Sequence, residues 1–221
     1  MTPAQTRLIP GDRDGYEAVV RDPCHVRRFE HEPVPRADVE HMVALASCAA
    51  SPCSSQAWRL IAVQDHELLA AMQAAVMERF EELALRPQLA LHERMRAAAL
   101  KQALLFAKAP LCIAVLALPP SSPMEELMGL AGVSREEHDR LCARPELQGA
   151  GAAVQVLSSS AHAMGYAACW TCAPIVAGER LQELLEVAPP ARLGALVAIG
   201  LPAELATTPK RPPLDQVLSF R

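Results

Sequence analysis

The 221 residues are 51% apolar and carry a formal net charge of −4, a composition that buries a core and excludes a disordered chain. That charge balance leaves no broad basic field for a nucleic-acid backbone or an anionic membrane. The longest apolar run, residues 109–120, is too short to cross a bilayer, and residues 1–13 are polar, so a cytoplasmic protein is expected.

Residues 14–20 begin a first helix, and residues 27–35 form an extended, charged connection ending in two prolines. Residues 38–50 set Val39, Met42, Val43 and Ala46 at helical spacing. Residues 58–64 are bulky and β-branched and predict a strand. Residues 66–83 form an amphipathic helix with Leu68, Leu69, Met72, Val76, Phe80 and Leu83 on one side. Pro87 interrupts the pattern, which resumes as a long helix over 89–108. After Pro110, the run Leu-Cys-Ile-Ala-Val-Leu-Ala-Leu predicts a strand buried on both faces. Residues 119–123 read as a loop. Ser134 and Glu137 resemble a capping box opening a short helix to Cys142. Residues 147–164 form a long helix of Gly, Ala, Ser and Val that lets another backbone approach, and Gly165 stops it. A strand over 166–172, a helix over 178–187 and a strand over 192–201 follow. The order lacks strict βαβ alternation, which predicts an α+β fold with helices on a small mixed or antiparallel sheet. One domain over 1–221 is expected, with 1–13 loosely ordered and 203–221 an extended tail.

Several chemistries lack their motifs. There is no Gly-x-Gly-x-x-Gly, no Walker-type loop, no His-Glu-x-x-His and no Gly-x-Ser-x-Gly. The odd count of seven cysteines predicts reduced thiols. Cys169 and Cys172 have the spacing of a thiol redox pair, but they fall late on a predicted strand and not at a helix start, so they read as bystanders. The seven histidines are scattered, and their spacing proposes no metal site.

Three segments, in this order, are similar to the motifs of one known family. The first is Val26-Arg27-Arg28-Phe29-Glu30-His31-Glu32-Pro33-Val34, against a family pattern Arg-Arg-Ser-x-Arg-x-Phe followed three residues later by Pro-Val. The second is Ala50-Ser51-Pro52-Cys53-Ser54-Ser55-Gln56-Ala57-Trp58-Arg59, against Ala-Pro-Ser and then Asn-x-Gln-Pro-Trp-Arg. The third is the closing part: Gly165-Tyr166, Pro174, Ile199-Gly200-Leu201-Pro202, and Lys210-Arg211-Pro212-Pro213-Leu214.

Together they resemble the FMN-dependent nitroreductase family, and this resemblance implies a nitroreductase-like fold, an intertwined homodimer, and FMN bound at the dimer interface by residues of both subunits. It implies ping-pong reduction of nitroaromatics, quinones or similar small oxidised substrates by NADH or NADPH. Arg27 matches a cation near the flavin N1 and C2 carbonyl, where positive charge favours the reduced ring. Ser51, Ser54 and Gln56 match hydrogen-bonding positions on the flavin or its ribityl chain. Val176 and Ala177, after Pro174, match backbone donors to flavin N5 and O4. Lys210 and Arg211 match cations for the phosphate, a dianion suited to guanidinium geometry. The family's two leading arginines fall here on Pro23 and Cys24 and its serine on His25, so one phosphate ligand is lost unless Arg21 or His25 replaces it. The family Asn is Ser54. No catalytic acid or base is implied, because the flavin carries the chemistry. Two further readings stay open: a specialised FMN oxidase, dehydrogenase or dehalogenase on the same fold, and a non-enzymatic homologue with weakened flavin binding.

Overall fold

The computed structural model describes residues 13–21, 26–204 and 211–221. Among them, one sheet holds β1 Trp58–Val63, β2 Leu111–Ala117, β3 Ala167–Thr171 and β4 Arg192–Gly200. The order is β1-β2-β4-β3 and every neighbouring pair is antiparallel, so of the mixed or antiparallel sheets expected the second is found. All seven residues of β2 are buried, because strands flank it on both sides and helices cover both its faces. That double burial is why its sequence lacks polar alternation.

The helices are α1 Arg13–Arg21, α2 Arg36–Ala46, α3 His66–Ala84, α4 Glu93–Ala103, α5 Pro123–Leu130, α6 Arg135–Cys142, α7 Pro145–Ala163 and α8 Gly178–Leu184. Side-chain alternation along the strands divides the core in two. On one face Val39, Met42, Val154 and Leu157 of α2 and α7 pack on Ile113, Val115, Val197 and Ile199. On the other, Met72, Val76 and Leu181 of α3 and α8 pack on Cys112, Ala114, Leu116 and Leu196. Burying one such aliphatic side chain is worth about 1.5–3 kcal/mol.

α7 can lie flat on its neighbours because its inner positions are small. A Cβ on Gly149 would stand 3.4 Å from Pro52 Cδ and 3.6 Å from Ser51 Cβ. The helix ends as its sequence predicts: Gly165 takes φ +86°, and the Tyr166 N–H donates to the Ala161 carbonyl at 2.9 Å.

Three expectations need correction. The helix expected over 89–108 is only α4. Pro87 opens a 3-10 turn, Pro87–Leu89, and Ala109 before Pro110 is extended (φ −103°, ψ 150°), so the segment closes in a second 3-10 turn, Leu105–Lys108. α2 stops at Ala46 and does not reach residue 50; the Ser47 hydroxyl donates to the Ala44 carbonyl at 2.6 Å. α5 was not anticipated at all. Its start is encoded locally, since Ser122 Oγ accepts from the Glu125 N–H at 3.2 Å and Pro123 occupies the first helical position.

Candidate functional site

Arg27 sits on an extended segment that runs beside the end of β4. Phe29 bridges Pro202, the Glu30 N–H donates to the Leu201 carbonyl at 2.9 Å, and the Ala203 N–H donates to the Arg28 carbonyl at 3.1 Å. Val26 and Phe29 are buried beneath it with Ala109, Ala167 and Ala198. Glu204 closes the arrangement. Its Oε1 accepts from the Arg27 backbone N–H at 2.8 Å, and its Oε2 lies 3.2 Å from Arg28 Nε. The neighbouring arginine thus takes the carboxylate. The exposed Arg27 guanidinium has no ion-pair partner among the described residues. A surface pairing with Glu30 or Glu32, the ordinary fate of such a residue, is not what the structure has. Arg27 also lies near Cys169 of β3. Burial pushes that thiol's pKa up, and the guanidinium partly opposes the rise.

The loop carrying Ser51, Ser54 and Gln56 leads into β1. Cys53, Ser54 and Gln56 all have positive φ, at 52°, 52° and 42°, a conformation costing roughly 1–2 kcal/mol per residue without glycine. The loop is held by its own polar groups. Ser51 Oγ accepts from the Gln56 N–H at 3.1 Å, and Gln56 Nε2 donates to the Ser47 carbonyl at 2.6 Å. Gln56 is therefore a strut of the loop, with its side-chain carbonyl still available. The Ser54 side chain is exposed. Under the loop the Trp58 indole N–H is buried with no hydrogen-bond partner, an arrangement costing about 1–3 kcal/mol unless a polar group meets it.

Pro174, Val176 and Ala177 lie in the 3-10 turn Ala173–Ala177, directly after β3. Pro174 and Ala177 are buried and Val176 is exposed. Val176 and Ala177 form part of the wall of an open groove of about 960 Å³ whose far side is α3. Arg27 and the Ser51–Gln56 loop do not line it. Cys172 precedes this turn, outside β3, and both Cys169 and Cys172 are free thiols.

The predicted residues therefore lie in separate places. Arg27 stands beside β3 near Cys169, and residues 174–177 follow the Thr171 end of that strand. Ser51, Ser54 and Gln56 stand at the β1 edge, with β2 and β4 between, a width of roughly 14 Å at about 4.8 Å per strand spacing. Arg211 is exposed on the tail and has no ion-pair partner among the described residues. His25 and Lys210 fall outside the described residues. Sequence reasoning missed Glu204, which fixes the Arg27 backbone, and the orphan Trp58 N–H. Neither carries a local signal, since each role depends on a contact distant in the chain.

The chemistry of these groups suits a flavin mononucleotide. An unpaired guanidinium and an exposed tail arginine are groups that could meet its negative charges, and a serine hydroxyl and an amide carbonyl are groups that could meet its polar edge. Residues 25–201 match the model of the Nitroreductase family. No curated protein matches the sequence. Among solved structures, a BluB-like flavoprotein from Clostridium difficile 630 has a TM-score of 0.82 at 23% identity, covering 93% of this chain and 98% of that one. A nitroreductase with bound FMN from Desulfitobacterium hafniense DCB-2 has a TM-score of 0.69 at 20% identity, covering 94% and 98%. The NADPH:FMN oxidoreductase from Vibrio harveyi, complexed with NAD+, has a TM-score of 0.68 at 13% identity, covering 93% and 76%.

Proposed function

Because this chain belongs to the Nitroreductase family, we propose that it is an FMN-dependent oxidoreductase. It uses NADH or NADPH to reduce a small oxidised substrate such as a nitroaromatic or a quinone, and it works as a homodimer. The observation that carries this reading is the Arg27 guanidinium, exposed and without a carboxylate partner on a backbone anchored by Glu204. Such a cation is suited to hold the pyrimidine side of an isoalloxazine ring and to offset negative charge there. Arg211, with Lys210, supplies the cations for the phosphate. Glu204 is bonded to the Arg27 N–H, so Arg211 follows seven residues later, within about 25 Å of chain reach.

Ser51, Ser54 and Gln56 supply hydrogen-bonding groups to the same cofactor. Their place at the opposite sheet edge favours a site built from the β3 edge of one copy and the β1-edge loop of another. The bound flavin supplies two-electron redox chemistry; the chain orients it and sets its electrostatics. No helix among the described residues is long and apolar enough to cross a membrane.

The test is to titrate FMN into the purified protein and follow loss of flavin fluorescence. NADH and NADPH oxidation is then measured with a nitroaromatic and a quinone. The expected outcome is saturable quenching, with parallel double-reciprocal plots for nicotinamide and acceptor. Quenching without turnover by either nicotinamide would replace this reading with a specialised FMN enzyme, and no quenching at all would leave a non-enzymatic homologue.

A further inference from the structure

Between β2 and α7 the chain leaves the sheet for α5 and α6, two helices of eight residues each. Helices this short are marginal by themselves and normally hold together through apolar contacts. These two have few. α5 buries none of its residues, and Leu127, Leu130 and Leu141 are exposed. Among the described residues of both helices, the only buried side chain is the imidazole of His138, 6% exposed.

A polar ring in that place needs partners, yet neither His138 nitrogen makes an aligned hydrogen bond. Its Nε2 stands 2.7 Å from Glu125 Oε2 across the helix pair. The two atoms are close, but no ring N–H points along the line between them. Cys142 lies one turn beyond His138 and so presents its sulfur on the same face of α6. One ligand atom each from Glu125, His138 and Cys142 lies within 4.8 Å of the other two. The sequence could not reveal this group, because Glu125 comes from the helix that composition did not predict and completes the His-x-x-x-Cys pair from outside.

We propose that Glu125, His138 and Cys142 bind one divalent metal ion of the Zn²⁺ class, which fastens α5 to α6. The donor set selects that class. Thiolate and imidazole favour borderline-soft transition ions over Mg²⁺ and Ca²⁺, which take oxygen ligands. Thiolate and carboxylate together neutralise the ion's two charges. Tetrahedral bonds of about 2.0–2.3 Å put ligand atoms about 3.5 Å apart, so the widest pair need close by about 1 Å and the 2.7 Å Glu125–His138 pair need open by about as much. Water completes the fourth position. On the far side of the ring, His138 Nδ1 faces Asp139 Oδ1 at 3.9 Å, and Arg144 holds the other oxygen of Asp139 at 2.9 Å. A carboxylate accepting the far N–H of a metal-bound imidazole is the usual orienting arrangement, and Asp139 would supply it by closing from 3.9 Å to hydrogen-bond distance. Ser122 and Ser134 cap the two helices and fix where each begins. This site shares no residue with the flavin reading and stands or falls separately.

The test uses the full chain after removal of metals with EDTA. Titration with Co²⁺ is expected to give one ion per chain, with intense visible bands and a near-ultraviolet thiolate-to-metal band, displaced by Zn²⁺. Cys142→Ser should abolish the thiolate band. It should also weaken Zn²⁺ binding by more than the about 10–100-fold typical of losing an outer-shell partner. Glu125→Gln should keep the band and lose affinity, and Cys48→Ser and Cys172→Ser should leave both unchanged. A second readout needs no variant: Zn²⁺ should slow amide hydrogen exchange over residues 123–142 in the unaltered protein. Absence of Co²⁺ uptake, a thiolate band that survives Cys142→Ser, or unchanged exchange in that segment would each overturn the proposal.

Discussion

The phenol of Tyr166 donates to Asp38 Oδ2 at 2.6 Å and ties the end of α7 to the start of α2. Hydrogen bonding to that carboxylate, then burial, then the charges of Asp38 and Glu32, push the phenol's pKa up to about 12. A hydrogen bond to a charged group is worth about 1.5–3 kcal/mol, so Tyr166→Phe should cost about that much in urea unfolding. The pH dependence has a definite sign. The folded pKa is raised, so the contribution is fully present below the ordinary tyrosine value near 10 and is lost as pH climbs through about 12. The difference between wild type and Tyr166→Phe should therefore be flat at neutral pH and shrink only in strong alkali. A difference that disappeared near pH 8 would show that another group is responsible.

Arg27 belongs to the same scale. If its guanidinium holds the flavin ring, Arg27→Ala should weaken FMN binding about 10- to 100-fold, the equivalent of one charge-assisted hydrogen bond. Arg28 is occupied by Glu204 at 3.2 Å, so Arg28→Ala should change affinity far less. Fluorescence titration of both variants checks this, and equal effects would mean the two cations act only through bulk charge.

At the level of elements, Gly200 explains how the Arg27 segment is seated. A Cβ there would stand 2.7 Å from Pro110 Cδ and 3.3 Å from Phe29 Cβ. Overpacking of this kind costs about 1–3 kcal/mol. Gly200→Ala should lower stability by that amount and also weaken FMN binding, because Phe29 must move and Arg27 is two residues away. An unaltered urea midpoint would show that Pro110 and Phe29 yield freely. Elements with a strong period were legible in the sequence. Leu69, Met72 and Val76 announce α3, and the unbroken apolar run after Pro110 announces β2. α5 was not legible, because it buries none of its residues and so has no apolar stripe to read. The bends at Cys53, Ser54 and Gln56 were equally hidden, since none is the glycine that positive φ ordinarily selects. Positions of the flavin-site candidates could be matched by motif, but the carboxylate that anchors Arg27 lies 177 residues away.

For the whole molecule, the tail supplies the sharpest question. Every residue from 211 to 221 is exposed, including Leu214, Val217, Leu218 and Phe220, the last at 90%. An apolar row of this kind on a chain end marks a surface that another body covers. The proposed homodimer would provide that body, and the split of the candidate site between opposite sheet edges would give such a dimer a functional reason. If the tail lies against a second copy, light scattering should report twice the 23.8 kDa chain mass. Burying even one of these side chains is worth about 1.5–3 kcal/mol, so deleting residues 211–221 should raise the dimer dissociation constant by at least about 10-fold. The same deletion removes Arg211, so FMN affinity should fall with it. Changing Arg211→Ala alone separates the two effects: it should weaken FMN while leaving the dimer intact. If the deletion left the dimer fraction unchanged across a dilution series, the tail would not be part of the interface, and Arg211 would have to reach its phosphate within its own subunit.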